Sequence, residues 1–302
     1  MIRAVGVTEV LSALPGAVVV LFALVTQLGD FWFTCSACVL LYWLGSRTPK
    51  LGRGLTRDRT AMVVALLASA VALAVSLKAV FALPRPPGAG TATHTELLPV
   101  ALRGIYESLA TGEGYGFPSG HATVAVLVWG GFAWALRVGT RRTRTAVAAA
   151  VIGLIGLSRL VLGVHYLADV LAGFAFAGAV LWLALTALKT PQRVFGFAAV
   201  VAGLALLAAG FSRDTGAALG LTVGGAVVWS LVGDEIPEPT RRGVGFTVGL
   251  GVATVGVLLG GTLALDPTPG VVTVGAALGT GLLLALPLAG ERLAKNIETE
   301  AA

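Results

Sequence analysis

Ser158-Arg159-Leu160-Val161-Leu162-Gly163-Val164-His165-Tyr166-Leu167-Ala168-Asp169 is the stretch on which the reading of this chain turns. It lies between two apolar runs, Thr145–Gly156 before it and Val170–Leu188 after it. A charged side chain deep in such a run costs about 2.5–3.5 kcal/mol on insertion scales, so an Arg, a His and an Asp there need pairing, a wet mouth or a function. If a helix begins near Val164, His165 and Asp169 stand at i and i+4 on one face, where a carboxylate can hold an imidazole. An Asp that engages one ring nitrogen leaves the other free to attack or to take a proton. The stretch reads as chemistry at a membrane surface.

Composition agrees with that setting. The 302 residues are 56% hydrophobic and only 12% charged, with a mean hydropathy of +0.90. Soluble domains carry about 25% charged residues, so the chain is expected to be an all-α, polytopic transmembrane bundle. Its net charge of +6 sits mostly in short loops between apolar runs. There it sets orientation, and nucleic acid is not the expected partner. The two cysteines, Cys35 and Cys38, form a C-x-x-C inside an apolar run, with no second pair to complete a zinc site. They read as small packing residues. The start of the chain lacks a small-x-small cleavage site after its apolar stretch, so no signal peptide is expected.

Outward from the central stretch, the apolar runs thread as follows. Residues 13–28 are short for a span and end at Gly29-Asp30, which suggests an interfacial or re-entrant helix. Spans are expected at about 31–46, 60–83, 121–137, 145–163 and 166–188, forming a catalytic unit over 1–188. A further segment, 189–302, holds four more runs at about 194–211, 217–232, 244–265 and 271–289. Their Gly220-xxx-Gly224, Gly245-xxx-Gly249 and Gly275-xxx-Gly279 spacings would permit close helix contact. The longest polar stretch, about 84–120, is of a length usually reserved for function or disorder.

Fifteen of the 21 Lys and Arg residues fall on one side of this threading. Of the other six, Lys78, Arg85 and Arg159 belong to the candidate site, leaving Arg3, Arg103 and Arg213. Positive residues mark the inner side, so the polar stretch and the His165 turn are expected together on the outer face.

Three polar clusters then stand at the outer ends of successive spans: Lys78 with Arg85-Pro86, Pro118-Ser119-Gly120-His121, and Ser158-Arg159 with His165 and Asp169. They offer three permanent cations, two imidazoles, one carboxylate and a Ser-Gly turn at a helix N-terminus. Free amides at a helix start, flanked by Arg and Lys, suit phosphate. With two histidines added, the natural reaction class is phosphoryl transfer through a covalent intermediate.

The motifs Lys78-x6-Arg85-Pro86, Pro118-Ser119-Gly120-His121 and Ser158-Arg159-x5-His165-x3-Asp169 resemble the three signatures of the type 2 phosphatidic acid phosphatase superfamily, in the family's order. That superfamily also holds bacterial acid phosphatases and the soluble vanadium haloperoxidases. The resemblance covers about residues 60–188 and implies that His165 is the nucleophile, with Asp169 fixing its tautomer. It implies that His121 protonates the leaving group and then activates water. Lys78, Arg85, Ser119, Gly120 and Arg159 would hold the phosphoryl oxygens. No metal or cofactor is implied, and no acidic cluster stands near these motifs to bind one.

The expected substrate is a lipid phosphate or isoprenoid diphosphate whose tail stays in hydrocarbon. A phosphotransferase would use the same site. From a different class, a transporter or scaffold with a vestigial site would be expected to have lost motif residues, and none is missing. The lipid identity, the oligomeric state and the role of 189–302 are left open by the sequence.

Overall fold

The computed structural model describes residues 6–264 and 266–300, and the described residues form helices and connecting loops. Arg3 and Leu265, the last residue of one expected span, lie outside them. In chain order the helices are α1 (Val7–Ser12), α2 (Gly16–Val25), α3 (Phe31–Leu44), α4 (Arg57–Phe81), α5 (Val100–Ala110), α6 (Gly120–Ala135), α7 (Arg141–Val161), α8 (Leu167–Leu183), α9 (Pro191–Ala209), α10 (Arg213–Val232), α11 (Arg241–Ala264) and α12 (Pro269–Glu300). Six of them are long and apolar enough to cross a membrane, counting α8 with the turn that extends it to Leu188.

Polar residues at the breaks start the helices. Thr56, Ser119, Thr140, Thr190 and Ser212 each accept a backbone N–H from the first turn of α4, α6, α7, α9 and α10. Such caps satisfy donors that the hydrocarbon would otherwise leave orphaned. Pro191 at the head of α9 needs no donor there.

At the centre runs α4, whose most apolar stretch is 67% buried against 28–44% for the other spans. One stripe of its buried surface is alanine (Ala61, Ala65, Ala68, Ala72), which lets neighbours approach closely. Helices α3 and α6 pack on it, and so do α9 and α10 of the C-terminal segment. Ser76 of α4 donates to the Val201 carbonyl of α9 at 3.1 Å. At the opposite end Arg57 donates to Pro237 O at 2.8 Å and to Tyr42 O at 2.6 Å, joining both halves of the chain.

The N-terminal region departs from the expected single span over 31–46. α3 is only 14 residues long, about 21 Å at the usual rise and short of the ~30 Å hydrocarbon core. A 3₁₀ turn, Thr26–Gly29, joins it to α2. The two arms meet at 40° and together have the length and apolarity of one broken span or of a re-entrant loop.

The glycine spacings divide. α10 and α12 cross at Gly220 and Gly224, where an added Cβ would collide with the carbonyls of Thr273 and Ala277. A Cβ at Gly245, Gly249 or Gly275 would meet nothing within 4 Å, so these positions do not serve close contact. Cys35 and Cys38 are free thiols, the second fully buried.

Candidate active site

The end of α7 sets the position of His165. The Gly163 N–H bonds to Leu160 O at 3.0 Å and the Val164 N–H to Arg159 O at 3.2 Å. Gly163 itself is left-handed at φ 68°. This glycine-terminated helix end satisfies the last carbonyls and reverses the chain. His165 therefore lies in the turn, and α8 starts at Leu167 instead of near Val164. The pairing with Asp169 survives because Asp169 reaches back: its Oδ2 accepts the Tyr166 N–H at 3.0 Å and stands 3.5 Å from His165 Nδ1. Both residues are buried, at 1% and 0% exposure.

Arg85 comes from the loop after α4. Its Nη1 is 3.0 Å from His165 Nε2 and donates to Val164 O at 3.0 Å, while Nε donates to Glu113 O at 2.9 Å. The polar stretch thus folds back over the site to hold this guanidinium. Gly112 leaves the space, since a Cβ there would lie 2.7 Å from Arg85 Nη1.

α6 and α8 meet at Gly173, where a Cβ would come within 2.9 Å of Ala122 and of Ser119 O. That approach brings the start of α6 beside Asp169, and the Ser119 N–H bonds to Asp169 O at 2.9 Å. The Ser119 side chain caps α6 through Ala122 N at 3.4 Å and is fully buried. Gly120 and His121 follow as the first helical residues, whose amides have no partner within the helix. Lys78 Nζ closes over them, 3.9 Å from where a Gly120 Cβ would sit. Arg159, 3% exposed, completes the ring of cations from α7.

All eight residues singled out by the sequence therefore gather at one end of the bundle. Burial first, then Arg159, Arg85, Lys78 and His121, hold the His165 imidazole well below its ordinary pKa of 6.5. Charge from four separate segments converges on one neutral ring. A buried nucleophilic nitrogen facing several cations and a helix N-terminus can attack phosphorus while the oxygens are held.

Sequence reasoning missed three contacts from the first thirty residues. The Thr8 hydroxyl donates to His165 O at 3.0 Å, Thr26 Oγ1 accepts from Arg159 Nη1 at 2.7 Å, and Asp30 Oδ2 lies 3.6 Å from His121 Nε2. The available signal was the apolar run over 13–28, too short for a span and ending on Gly29-Asp30.

The sequence pattern of the PAP2 superfamily matches residues 59–193, a range that holds all eight predicted site residues. The chain is 31% identical over 183 residues to the lipid A 1-phosphatase of Rhizobium etli, covering 58% of this chain and 72% of that protein. No solved structure matches. With a relative of that likeness and a helical membrane scaffold, the chain belongs to the PAP2 superfamily and is a multi-pass membrane phosphoric monoester hydrolase.

Proposed function

We propose that this protein removes the terminal phosphate from a lipid phosphate or isoprenoid diphosphate at the outer membrane face, through a phosphohistidine on His165. The observation that carries this reading is the two-sided hold on the ring: Arg85 Nη1 at 3.0 Å from Nε2 and Asp169 Oδ2 at 3.5 Å from Nδ1. An arginine only donates, so Nε2 keeps its lone pair, and the proton belongs on Nδ1 facing the carboxylate.

In the first step the Nε2 lone pair forms a bond to phosphorus as the P–O bond to the leaving group breaks. His121 gives its proton to that oxygen, and the alcohol or shortened lipid phosphate departs. In the second step water attacks the phosphorus of phosphohistidine, His121 takes a water proton, and the P–N bond breaks to release inorganic phosphate. Lys78, Arg85, Arg159 and the amides at Gly120 and His121 stabilise the equatorial oxygens in both transition states. Ser119 contributes mainly by setting the start of α6.

A lipid substrate is supported by the membrane scaffold and by the lipid A 1-phosphatase relative. The outer-face placement is supported by the distribution of 15 of 21 basic residues toward the opposite helix ends. The test is phosphate release by purified protein from phosphatidate, undecaprenyl diphosphate and lipid A 1-phosphate, set against His165→Ala. Release confined to the wild type and blocked by orthovanadate is expected, because vanadate mimics the trigonal-bipyramidal state. Equal release by wild type and His165→Ala would overturn the reading.

A further inference from the structure

The superfamily match begins at residue 59, yet the first thirty residues send three side chains to three site residues. Two of them come from the same short turn. Thr26–Gly29 interrupts the chain between the apolar helices α2 and α3. Interrupted backbone at membrane depth is tolerated only where protein or a wet cavity satisfies it. Here Trp129 Nε1 of α6 donates to Leu28 O at 3.0 Å, and Gly29 lies so near α7 that a Cβ would be 2.6 Å from Ile155 Cγ2. The break is wedged between the two helices that carry His121 and Arg159.

Helix capping alone does not account for Asp30. Its Oδ1 accepts the Trp32 N–H at 3.3 Å and caps α3, work that Asn or Ser would do as well. The other oxygen, Oδ2, is the one turned to His121 Nε2 at 3.6 Å. The Gly29 position faces the adjacent ring atom, His121 Cδ2, at 3.5 Å from a built Cβ. Residues 29 and 30 therefore face one edge of the imidazole. Thr26 is fully buried, and its bond to Arg159 Nη1 at 2.7 Å is the one hydrogen bond that fixes that guanidinium among the described residues. Arg159 Nε is buried with no partner. A buried cation so lightly held gains its direction from Thr26.

We propose that Asp30 and Thr26 are positioning residues of the phosphoryl-transfer site: Asp30 orients His121 toward the leaving oxygen, and Thr26 aims Arg159 at the phosphoryl oxygens. The inference rests on the phosphatase reading above. The proton moves from His121 to the leaving oxygen as the P–O bond breaks, and Asp30 neither gains nor loses one. The N-terminal segment is thus part of the catalytic centre, although it lies outside the family match.

The test compares kcat/KM on two substrates that differ in their need for an acid. p-Nitrophenolate leaves without a proton, whereas the alkoxide of dodecyl phosphate requires one. Full-length protein in detergent is used, with Asp30→Asn, Asp30→Glu and Thr26→Val. Asp30→Asn keeps the cap on α3 and removes the charge. It is expected to lose at least about tenfold on dodecyl phosphate and less than about threefold on p-nitrophenyl phosphate. Asp30→Glu should recover part of the loss. Thr26→Val should lose equally on both substrates and bind orthovanadate more weakly, since Arg159 serves the phosphoryl group and not the leaving oxygen. Equal losses on both substrates in Asp30→Asn, or none, would overturn the role of Asp30. Undiminished vanadate inhibition in Thr26→Val would overturn that of Thr26. Should Asp30→Asn fail to fold, the substrate contrast in Asp30→Ser, which also keeps a cap on α3 without the carboxylate, decides in the same way. Wild-type protein no more active than His165→Ala on either substrate would instead remove the phosphatase reading, and this inference with it.

Discussion

Arg85 Nη1 stands 3.0 Å from His165 Nε2, and this contact favours the ring tautomer with its lone pair on Nε2. A guanidinium offers only hydrogens, so the nitrogen it meets must offer a lone pair. The same charge, with Arg159, Lys78, His121 and above all burial, keeps the ring neutral well below the ordinary histidine pKa of 6.5. Under the proposed mechanism one residue thus holds the nucleophile ready and stands where an attacked phosphate would need a cation.

The pH dependence follows from that electrostatic balance. A depressed histidine pKa leaves the ring unprotonated and attacking above that value, and activity is lost only as pH falls through it. In the wild type the acid limb of kcat/KM should therefore lie below 6.5, the ordinary value for this group. Arg85→Gln removes one of the cations, so the limb should move up toward the ordinary value. At pH 7.5 the variant should also lose about 10²–10³ in kcat/KM, the usual cost of one transition-state donor. Substrate phosphate titrates near pH ~6 in both proteins, so the difference between the two profiles is the quantity to measure. A limb that stays in place would show that Arg85 does not act on the ring.

Asp169→Asn tests the other side of the imidazole. The amide can still accept the Tyr166 N–H, now bonded to Oδ2 at 3.0 Å, so the start of α8 should hold. Asparagine no longer favours a proton on Nδ1, and the tautomer with its lone pair at Nε2 loses its support. We expect kcat to fall by about 10²–10⁴, by the logic that applies when a histidine loses its orienting carboxylate, while thermal stability changes little. Rapid-quench measurement should place the defect in formation of the phosphoenzyme.

Gly163 links backbone conformation to catalysis. At φ 68° it closes α7 two residues before His165. Alanine in this left-handed position costs about 1–2 kcal/mol. The variant Gly163→Ala should lower the melting temperature of the purified protein. It should also reduce kcat/KM at least about tenfold, because a shift of ~1 Å in a reacting group has an effect of that order or more. A stability loss with unchanged kinetics would show that the turn can relax without moving His165.

Much of the site is legible in the sequence because lipid makes polar residues conspicuous. Lys78, Arg159, His165 and Asp169 stand out against apolar runs, and their positions at successive span ends bring them together in any regular threading. The start of α8 was less readable, since Val164 is as apolar as the helix that follows it, and only Gly163 marks the reversal. Gly112 and Gly114 look alike in sequence, yet only Gly112 adjoins Arg85, a tertiary fact. Thr26 and Asp30 were hidden for a related reason. Each is a single polar residue at the frayed end of a run, and their partners lie 133 and 91 residues further along the chain. A short apolar run signals a break, but spacing alone does not tell what the break touches.

The glycine-rich C-terminal helices offer a prediction in which identical spacing gives opposite outcomes. Gly220 faces the Thr273 backbone across the α10–α12 crossing, with no room for a Cβ, whereas Gly245 on α11 faces open space. Gly220→Ala must push α12 away and lose contacts along the crossing, an overpacking cost of about 1–3 kcal/mol. Gly245→Ala meets nothing and replaces the poorest ordinary helix former with the best, a gain of about 0.5–1 kcal/mol. Melting curves in one detergent should thus move in opposite directions for the two variants. Because α10 also packs on α4, which carries Lys78, the destabilised variant should lose phosphatase activity at a lower temperature than wild type while keeping its kcat/KM in the cold. If both variants melt alike, lipid or detergent rather than helix contact sets the stability of this half of the protein.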